Sequence, residues 1–129
     1  MMKNLDKSML KEKLSVEEYN VTQNKSTEPP FSGKYLNNKK TGKYMCICCG
    51  VELFSSEHKY DSHSGWPSFF DSISNENIKH IEDTSHGMTR TEVVCNKCDA
   101  HLGHVFDDGP KPTKKRYCIN SVSLEFSDE

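Results

Sequence analysis

The sequence is short of hydrophobic residues and has no long run of them. Hydrophobic residues make up 33% of its 129 residues, against the ~45–50% of an average globular chain counted with glycine. No stretch approaches the ~20 apolar residues that span a bilayer, and the N-terminal segment lacks the apolar run of a secretory signal. We therefore expect one small, soluble, cytoplasmic domain, whose core needs an additional crosslink or metal.

An excess of charge of one sign is also lacking. Seventeen Lys and Arg residues against nineteen Asp and Glu residues give a net charge of −2. No block of like charge is long enough for a nucleic-acid or membrane footprint. We expect a monomer that binds neither nucleic acid nor a membrane, and the charge pattern names no other partner.

The organisation of the chain predicts a mainly β domain after short N-terminal helices. In residues 1–14, leucines at near-helical spacing without a closing cap predict a flexible tail or a loosely attached helix. Ser15 followed by Glu18 is a capping-box pattern, which predicts a short helix over 16–22. Short segments separated by Gly, Pro, Asn and Asp then predict antiparallel strands over 43–46, 51–54, 89–94, 101–106 and 116–126. We expect residues 15–129 to form a single domain.

Six cysteines stand out in a chain expected in the reducing cytosol, where such spacing indicates metal binding or catalysis rather than disulfides. Four of them form two C-x-x-C pairs, Cys46 with Cys49 and Cys95 with Cys98. Each pair can turn two sulfurs toward one ion, so the two pairs predict a structural Zn²⁺ site of four thiolates. An iron–sulfur cluster uses the same donors, although the spacing matches neither ferredoxin pattern. A redox-active C-x-x-C is a further alternative.

A rival metal site would use two histidines. Two residues separate His101 from Cys98, and two residues separate His104 from His101, as in a C-x-x-C pair. A site of two cysteines and two histidines would leave Cys46 and Cys49 without a role. Four sulfurs use both pairs completely and leave both histidines for other chemistry, so we favour the four-cysteine site.

Cys118 lies apart from the two pairs, on a segment whose pattern predicts one long strand over 116–126. Because side chains alternate faces along a strand, Arg116, Cys118 and Asn120 project from one side. A guanidinium beside a thiol favours the nucleophilic thiolate, and an amide can orient a bound polar group. These three side chains form a candidate reactive centre, the alternative being a buried, inert cysteine.

The only tryptophan, Trp66, lies between a glycine and a proline, which predicts a loop. Phe69 and Phe70 follow it closely. Together they predict an aromatic wall on which a sulfur-bearing ligand packs well.

Taken together, these segments resemble the B-type methionine sulfoxide reductases, which reduce methionine-R-sulfoxide. The motifs occur in the family's order along the chain. They are Val21-Thr22-Gln23, Thr27-Glu28-Pro29-Pro30-Phe31-Ser32-Gly33, the first C-x-x-C-G, Lys59-Tyr60-Asp61-Ser62, Gly65-Trp66-Pro67-Ser68-Phe69, Ser85-His86-Gly87-Met88, Arg90-Thr91-Glu92-Val93, the second C-x-x-C, His101-Leu102-Gly103-His104-Val105-Phe106, Asp108-Gly109-Pro110 and Arg116-Tyr117-Cys118-Ile119-Asn120-Ser121.

The resemblance implies a β-domain of two antiparallel sheets with a Cys₄ zinc site remote from the active site. Cys118 would attack the sulfoxide sulfur, release methionine and become a sulfenic acid, so that oxidised proteins are repaired. The family pattern gives proton donation to His101 and His104. In the same pattern Asn120 and Arg116 orient the groups of the site and supply its charge.

The resemblance also implies the substrate contacts and the reductant. Trp66, with Phe106, would hold the methyl group of an oxidised polypeptide's methionine sulfoxide, and thioredoxin or another thiol would regenerate the enzyme. Many family members carry a resolving cysteine just before Gly-Trp-Pro-Ser, where this chain has Ser64. Cys48 is the remaining thiol, and it lies within the first zinc pair. We therefore expect Cys48 to be a packing residue or a spare surface thiol, and an external thiol to reduce Cys118 directly.

Two other functions compete with reduction. A zinc-dependent protein-binding module explains the cysteine pairs but leaves Cys118 and Trp66 without a task. A zinc hydrolase with His101 and His104 as ligands would lose its chemistry on removal of zinc without necessarily unfolding.

Overall fold

The computed structural model describes residues 7–128, which fold as two short helices followed by nine β-strands. The helices are α1 (Lys7–Lys13) and α2 (Val16–Asn24). The strands are β1 (Gly42–Cys46), β2 (Glu52–Ser55), β3 (Lys59–Tyr60), β4 (Ser68–Phe69), β5 (Ile78–Asp83), β6 (Arg90–Cys95), β7 (His101–Phe106), β8 (Arg116–Ile119) and β9 (Leu124–Asp128). Neither described helix has the length and apolar character needed to cross a membrane.

The helices dock on the β-domain through a few apolar side chains. The capping box is confirmed: the backbone N–H of Glu18 donates to Ser15 Oγ at 3.1 Å, and the backbone N–H of Ser15 donates to Glu18 Oε1 at 2.9 Å. Leu10 and Leu14 are only 5% and 7% exposed and belong to the main core. Helix α1 is therefore held more closely than a loose helix would be. Residues 1–6 lie outside the described residues, and the division of the chain at residue 14 stays a prediction.

The strands form two antiparallel sheets, as the resemblance to the B-type methionine sulfoxide reductases implies. Strands β2, β1 and β9 form a three-stranded sheet, and the six-stranded sheet has the order β3-β4-β8-β7-β6-β5. Aromatic side chains from both sheets meet in the core: the ring centroid of Phe69 lies 4.6 Å from that of Phe54 and 5.2 Å from that of Tyr44. The core lies between the sheets, because Phe69 is on β4 and the other two rings are on β2 and β1.

The prediction of one continuous strand over 116–126 is wrong. Strand β8 ends at Ile119, a 3₁₀ turn follows at Ser121–Ser123, and β9 then pairs with β1 in the other sheet. The hydroxyl of Ser123 donates to the carbonyl of His101 at 2.9 Å, which holds the turn against β7. The apolar alternation of the sequence runs on through the turn, so it did not reveal that the chain changes sheets. Asn120 keeps an extended backbone, at φ −71° and ψ 127°.

Gly103 allows β7 and β8 to approach each other closely at the centre of the six-stranded sheet. A Cβ at this position would lie 2.1 Å from the carbonyl oxygen of Cys118, which no side chain tolerates. His104, the next residue, is directly opposite Cys118 in the antiparallel register. The close approach therefore sets an imidazole beside a thiol on neighbouring strands.

Candidate active site and metal centre

A cavity of about 140 Å³ lies where β7 and β8 meet the Trp66 loop. Six of the predicted site residues line this cavity: Trp66, His104, Phe106, Arg116, Cys118 and Asn120. Thr27, Arg90 and Gly103 complete the wall. Because Asn120 stays extended, strand alternation correctly predicts that Arg116, Cys118 and Asn120 share a face, although the strand itself ends at Ile119.

The thiol of Cys118 is half-buried, with Ser64 as its hydrogen-bonding neighbour. Their Sγ and Oγ atoms lie 3.5 Å apart. Burial raises the pKa of the Cys118 thiol, and this effect outweighs the lowering by Ser64 and by the positive charge of Arg116. The charge of Arg116 favours the thiolate and so limits the rise in the pKa of Cys118 that burial causes.

Arg116 is held in place by a carboxylate and an aromatic ring. Its Nε and Nη2 atoms donate to the two oxygens of Asp108 at 2.8 and 3.1 Å. Its guanidinium carbon lies 4.4 Å from the centroid of the Phe106 ring. A bidentate pair and a stacked ring fix the guanidinium, so the cavity carries a positive charge of defined position.

Removal of this charge is expected to make Cys118 less reactive at neutral pH. The alkylation rate of Cys118 should rise with pH as the thiolate forms, with a midpoint above that of an ordinary thiol, because burial raises its pKa. In Arg116→Gln the midpoint should move to still higher pH, since a charge that lowers the pKa is lost. Peptide mass mapping of iodoacetamide-treated protein across a pH series measures this.

Lys115→Gln is the matched control. Lys115 is the neighbouring cation, and its ammonium is paired with Asp107 at 2.6 Å. This variant should keep the wild-type profile. An unchanged midpoint in Arg116→Gln, or equal shifts in both variants, would contradict a specific effect of Arg116.

His104 is oriented by the carboxylate of Asp83, a residue for which the sequence analysis predicted no role. Its Nε2 lies 2.8 Å from Asp83 Oδ2, and Arg90 Nη2 donates to the same oxygen at 3.3 Å. The pKa of Asp83 is lowered, first by the backbone N–H of Ser85 and next by His104. Because Nε2 is engaged by Asp83, Nδ1 is the ring nitrogen left for a bound substrate.

His101 is not among the side chains that line the cavity. It is 3% exposed, and its Nδ1 lies 2.8 Å from Glu92 Oε2. Its ring centroid is 5.7 Å from that of His104, so it lies next to the cavity histidine. Burial lowers the pKa of His101, which favours the neutral ring. A catalytic role for His101 stays a prediction.

The two cysteine pairs converge as the spacing predicts. The sulfurs of Cys46, Cys49, Cys95 and Cys98 all lie within 4.8 Å of one another, so the four residues could hold a metal ion. Cys46 to Cys98 and Cys49 to Cys95 are both 3.6 Å apart. A tetrahedral ion with Zn–S bonds of about 2.3 Å places its sulfurs about 3.8 Å apart. The rival arrangement finds no support in the described residues, where the ligand atoms that come close enough to share an ion are those four sulfurs and neither His101 nor His104 is among them.

The remaining cysteine, Cys48, packs in the core. It is 4% exposed, and the side-chain amide of Gln23 lies 3.5 Å from its sulfur. The first cysteine pair directs Cys46 and Cys49 toward the metal group, while Cys48 belongs to the hydrophobic core cluster.

Comparison with known proteins identifies the family. Residues 14–128 match the model of the SelR domain. The chain belongs to the SelR (MsrB) family. A curated relative, the peptide methionine sulfoxide reductase MsrB of Thioalkalivibrio sulfidiphilus (strain HL-EbGR7), is 61% identical over 117 residues, which are 91% of this chain and 85% of the relative. The resemblance seen in the motifs is confirmed.

In this SelR-family chain several residues that line the cavity or contact its lining had no predicted role. Glu28 and Arg90 lie inside motifs that carry the resemblance, and Asp83 lies just before another. Their positions in the motifs were available from the sequence, but their tasks depend on contacts between distant segments. Asp83, for example, reaches His104 only because β5 and β7 both pair with β6.

Proposed function

We propose that the protein reduces peptide-bound methionine-R-sulfoxide to methionine, with Cys118 as the nucleophile and a thiol as the electron source. The observation that carries the proposal is the composition of one small cavity in a SelR-family chain: a thiol, an imidazole, a guanidinium, an amide and an indole surround the same space. A protein-binding module would not need these groups around a thiol.

The net step transfers two electrons between sulfur atoms. The Cys118 sulfur attacks the sulfoxide sulfur, the sulfur–oxygen bond of the sulfoxide breaks, and the oxygen leaves as water. Water then attacks the Cys118 sulfur and breaks its bond to the methionine sulfur, so that overall thiol plus sulfoxide give sulfenic acid plus thioether. The sulfoxide oxygen must be protonated as its bond to sulfur breaks. His104 is the proton donor in this proposal, because Asp83, 2.8 Å from Nε2, orients the ring and leaves Nδ1 for the substrate.

The other cavity side chains bind and orient. Trp66 and Phe106 supply apolar surface for the methyl group. The fixed charge of Arg116 limits the rise of the Cys118 pKa. Asn120 is 3% exposed, and its amide is held by two hydrogen bonds, so it offers a fixed dipole in the cavity lining.

The proposed metal is one structural Zn²⁺ per chain, held by Cys46, Cys49, Cys95 and Cys98. Four thiolates suit Zn²⁺ and leave no open position for a substrate or water. The ion would therefore stabilise the fold and take no part in the reaction.

Reduction of the R epimer is the direct test of this function. Purified protein with dithiothreitol should convert an N-acylated methionine-R-sulfoxide to the methionine compound and leave the S epimer unchanged, because a cavity that fixes oxygen, methyl and chain directions together accepts one configuration. Peptide substrates should be preferred over the free amino acid. Chiral chromatography of the products measures both. Equal rates on the two epimers would contradict the proposal, and a binding module or a zinc hydrolase would produce no methionine.

The proposed physiological setting is a cytoplasmic monomer that repairs oxidised polypeptides with thioredoxin or another thiol as reductant. Ser64 has no sulfur for a disulfide, and the sulfur of Cys48 is buried in the core. An external thiol therefore reduces the Cys118 sulfenic acid directly.

Introducing a thiol at Ser64 is expected to change the route of turnover. Ser64 Oγ lies 3.5 Å from Cys118 Sγ, so a short movement brings a sulfur at this position to the disulfide length of about 2.05 Å. After one equivalent of substrate, Ser64→Cys should contain a disulfide to Cys118 and turn over with thioredoxin. Mass analysis under non-reducing conditions detects the bond.

The wild-type protein is the control. There, dimedone should label Cys118, and Cys48 should remain available for alkylation after denaturation. A disulfide between Cys48 and Cys118 in the wild type would overturn the proposed route.

A further inference from the structure

Glu28 has a buried carboxyl group that the proposed chemistry does not use. Its side chain belongs to the segment between α2 and β1 and is 1% exposed. One oxygen accepts a hydrogen bond from the backbone N–H of Val122 at 3.1 Å, whereas Oε2 is buried and has no hydrogen-bond partner among the described residues. Burial raises the pKa of Glu28. A carboxyl placed this deep costs stability, which points to a task that offsets the cost.

The backbone of the same residue joins two walls of the cavity. The N–H of Glu28 donates to Asn120 Oδ1 at 3.0 Å, and its carbonyl accepts from Trp66 Nε1 at 3.0 Å. The indole has only this one donor, so the contact fixes the plane of the Trp66 ring. The amide of Asn120 is fixed as well, because its Nδ2 donates to the carbonyl of Leu102 at 3.0 Å.

The carboxyl group anchors that backbone to the 3₁₀ turn Ser121–Ser123. Val122, whose backbone N–H donates to the carboxyl group, lies in this turn. The turn begins directly after the cavity residue Asn120. Gly33 closes the other side: a Cβ there would lie 2.2 Å from Ser121 Oγ and 2.4 Å from Glu28 Oε2. The segment between α2 and β1 thus passes close to the Glu28 carboxyl group at position 33, where only glycine fits.

We propose that Glu28 is a positioning residue, whose buried side chain fixes its own peptide groups so that they hold Trp66 and Asn120 in the orientation that the cavity requires. The use of catalysis as a readout rests on the proposed function. Glu28 itself does not touch the substrate in this proposal. Its side chain needs an acceptor oxygen for Val122 and no charge, so glutamine should replace it and alanine should not.

The experiment compares Glu28→Ala with Glu28→Gln. With an N-acylated methionine-R-sulfoxide, kcat/KM of Glu28→Ala should fall about 100-fold, the loss expected when reacting groups are misplaced by about 1 Å. KM should rise, because Trp66 binds the methyl group, and kcat should fall, because Asn120 orients the reacting groups. Glu28→Gln should stay within about threefold of the wild type in both constants.

Trp66 supplies a second readout that does not depend on activity. It is the only tryptophan of the chain, so the intrinsic indole emission reports on this residue alone. In folded Glu28→Ala the emission should move to longer wavelength, because the ring loses its carbonyl partner and meets water. Glu28→Gln should keep the wild-type emission.

Leu10→Ala is the matched control for stability. Leu10 is a core residue of α1 at 5% exposure, so its truncation should lower Tm and leave the emission and kcat/KM unchanged. If Glu28→Ala does not fold, Glu28→Asp, which is one methylene shorter and does not reach Val122, enters the same assays with the same expected direction.

Two results would overturn the proposal. Equal damage in Glu28→Gln and Glu28→Ala would show that the carboxyl charge or proton matters rather than its position. Folded Glu28→Ala with wild-type emission and kcat/KM within threefold would show that Glu28 does not position the cavity residues. Wild-type protein that releases no methionine would refute the proposed function. The indole emission of Glu28→Ala and Glu28→Gln would then test by itself whether Glu28 positions Trp66.

Discussion

Replacement of Cys118 by serine is expected to abolish sulfoxide reduction and to leave the fold and the metal content intact. A serine hydroxyl is not ionised at neutral pH and is a far poorer nucleophile toward sulfur than a thiolate. Loss of a nucleophile commonly costs several orders of magnitude in kcat, so we expect a fall of at least about 10³-fold. Methionine release under dithiothreitol measures it.

The structure gives reasons to expect that Cys118→Ser folds. Cys118 is half-buried at the cavity wall, and its sulfur makes one long hydrogen bond to a hydroxyl that a serine can also reach. It does not belong to the four-cysteine group. Tm and bound metal should therefore match the wild type within a few degrees and within experimental error.

Cys48→Ala is the control for this experiment. It removes a cysteine that is buried in the core cluster, outside the metal group and outside the cavity lining. A buried free cysteine packs as a small hydrophobic residue, so alanine should keep the rate within a few-fold. If Cys118→Ser retained more than a few per cent of the rate, or if Cys48→Ala lost it, the nucleophile would be a different thiol.

The parts of the fold and site that the sequence predicts are those governed by local rules. The capping box of α2 depends on residues three apart, and the shared face of Arg116, Cys118 and Asn120 depends on the alternation of an extended backbone. The four-cysteine group is non-local, but its two pairs carry their own spacing signature. In each case residue type and interval suffice.

The parts that the sequence did not reveal depend on contacts between distant segments. The carboxylate of Asp83 meets His104 only through the pairing of three strands. Glu28 bonds to Trp66 and Asn120 through its backbone carbonyl and N–H. Because these groups do not depend on the type of side chain, the sequence gives no signal of the two hydrogen bonds. The break after Ile119 was hidden because apolar alternation continues where the chain passes from one sheet to the other.

The metal group yields the second large effect: removal of the metal, or of one of its ligands, is expected to unfold the domain. Cys46 and Cys95 are completely buried, and they belong to β1 in one sheet and β6 in the other. The four sulfurs therefore join the two sheets at one point. Structural Zn²⁺ sites contribute about 10–16 kcal/mol of apparent binding free energy, comparable with the whole stability of a domain at about 5–15 kcal/mol.

Carefully reduced wild-type protein should contain one equivalent of zinc and lose its cooperative thermal transition when a strong chelator removes the ion. Cys98→Ser should be recovered without zinc and without that transition, whereas Cys48→Ala, altered between the ligands of the first pair, should keep both. Elemental analysis and circular dichroism measure the two properties. An iron–sulfur cluster would instead reveal itself as iron with visible absorption.

Two outcomes would contradict the structural role of zinc. The first is a zinc content below about half an equivalent in reduced protein that is fully folded. The second is a Cys98→Ser variant that unfolds at the wild-type temperature, which would mean that core packing suffices without the ion. The few hydrophobic residues of the chain argue against the second, because a domain with 33% hydrophobic residues has little apolar burial to replace a lost metal site. Activity and folding should therefore disappear together on chelation and return together when Zn²⁺ is added back, whereas in Cys118→Ser activity alone is lost.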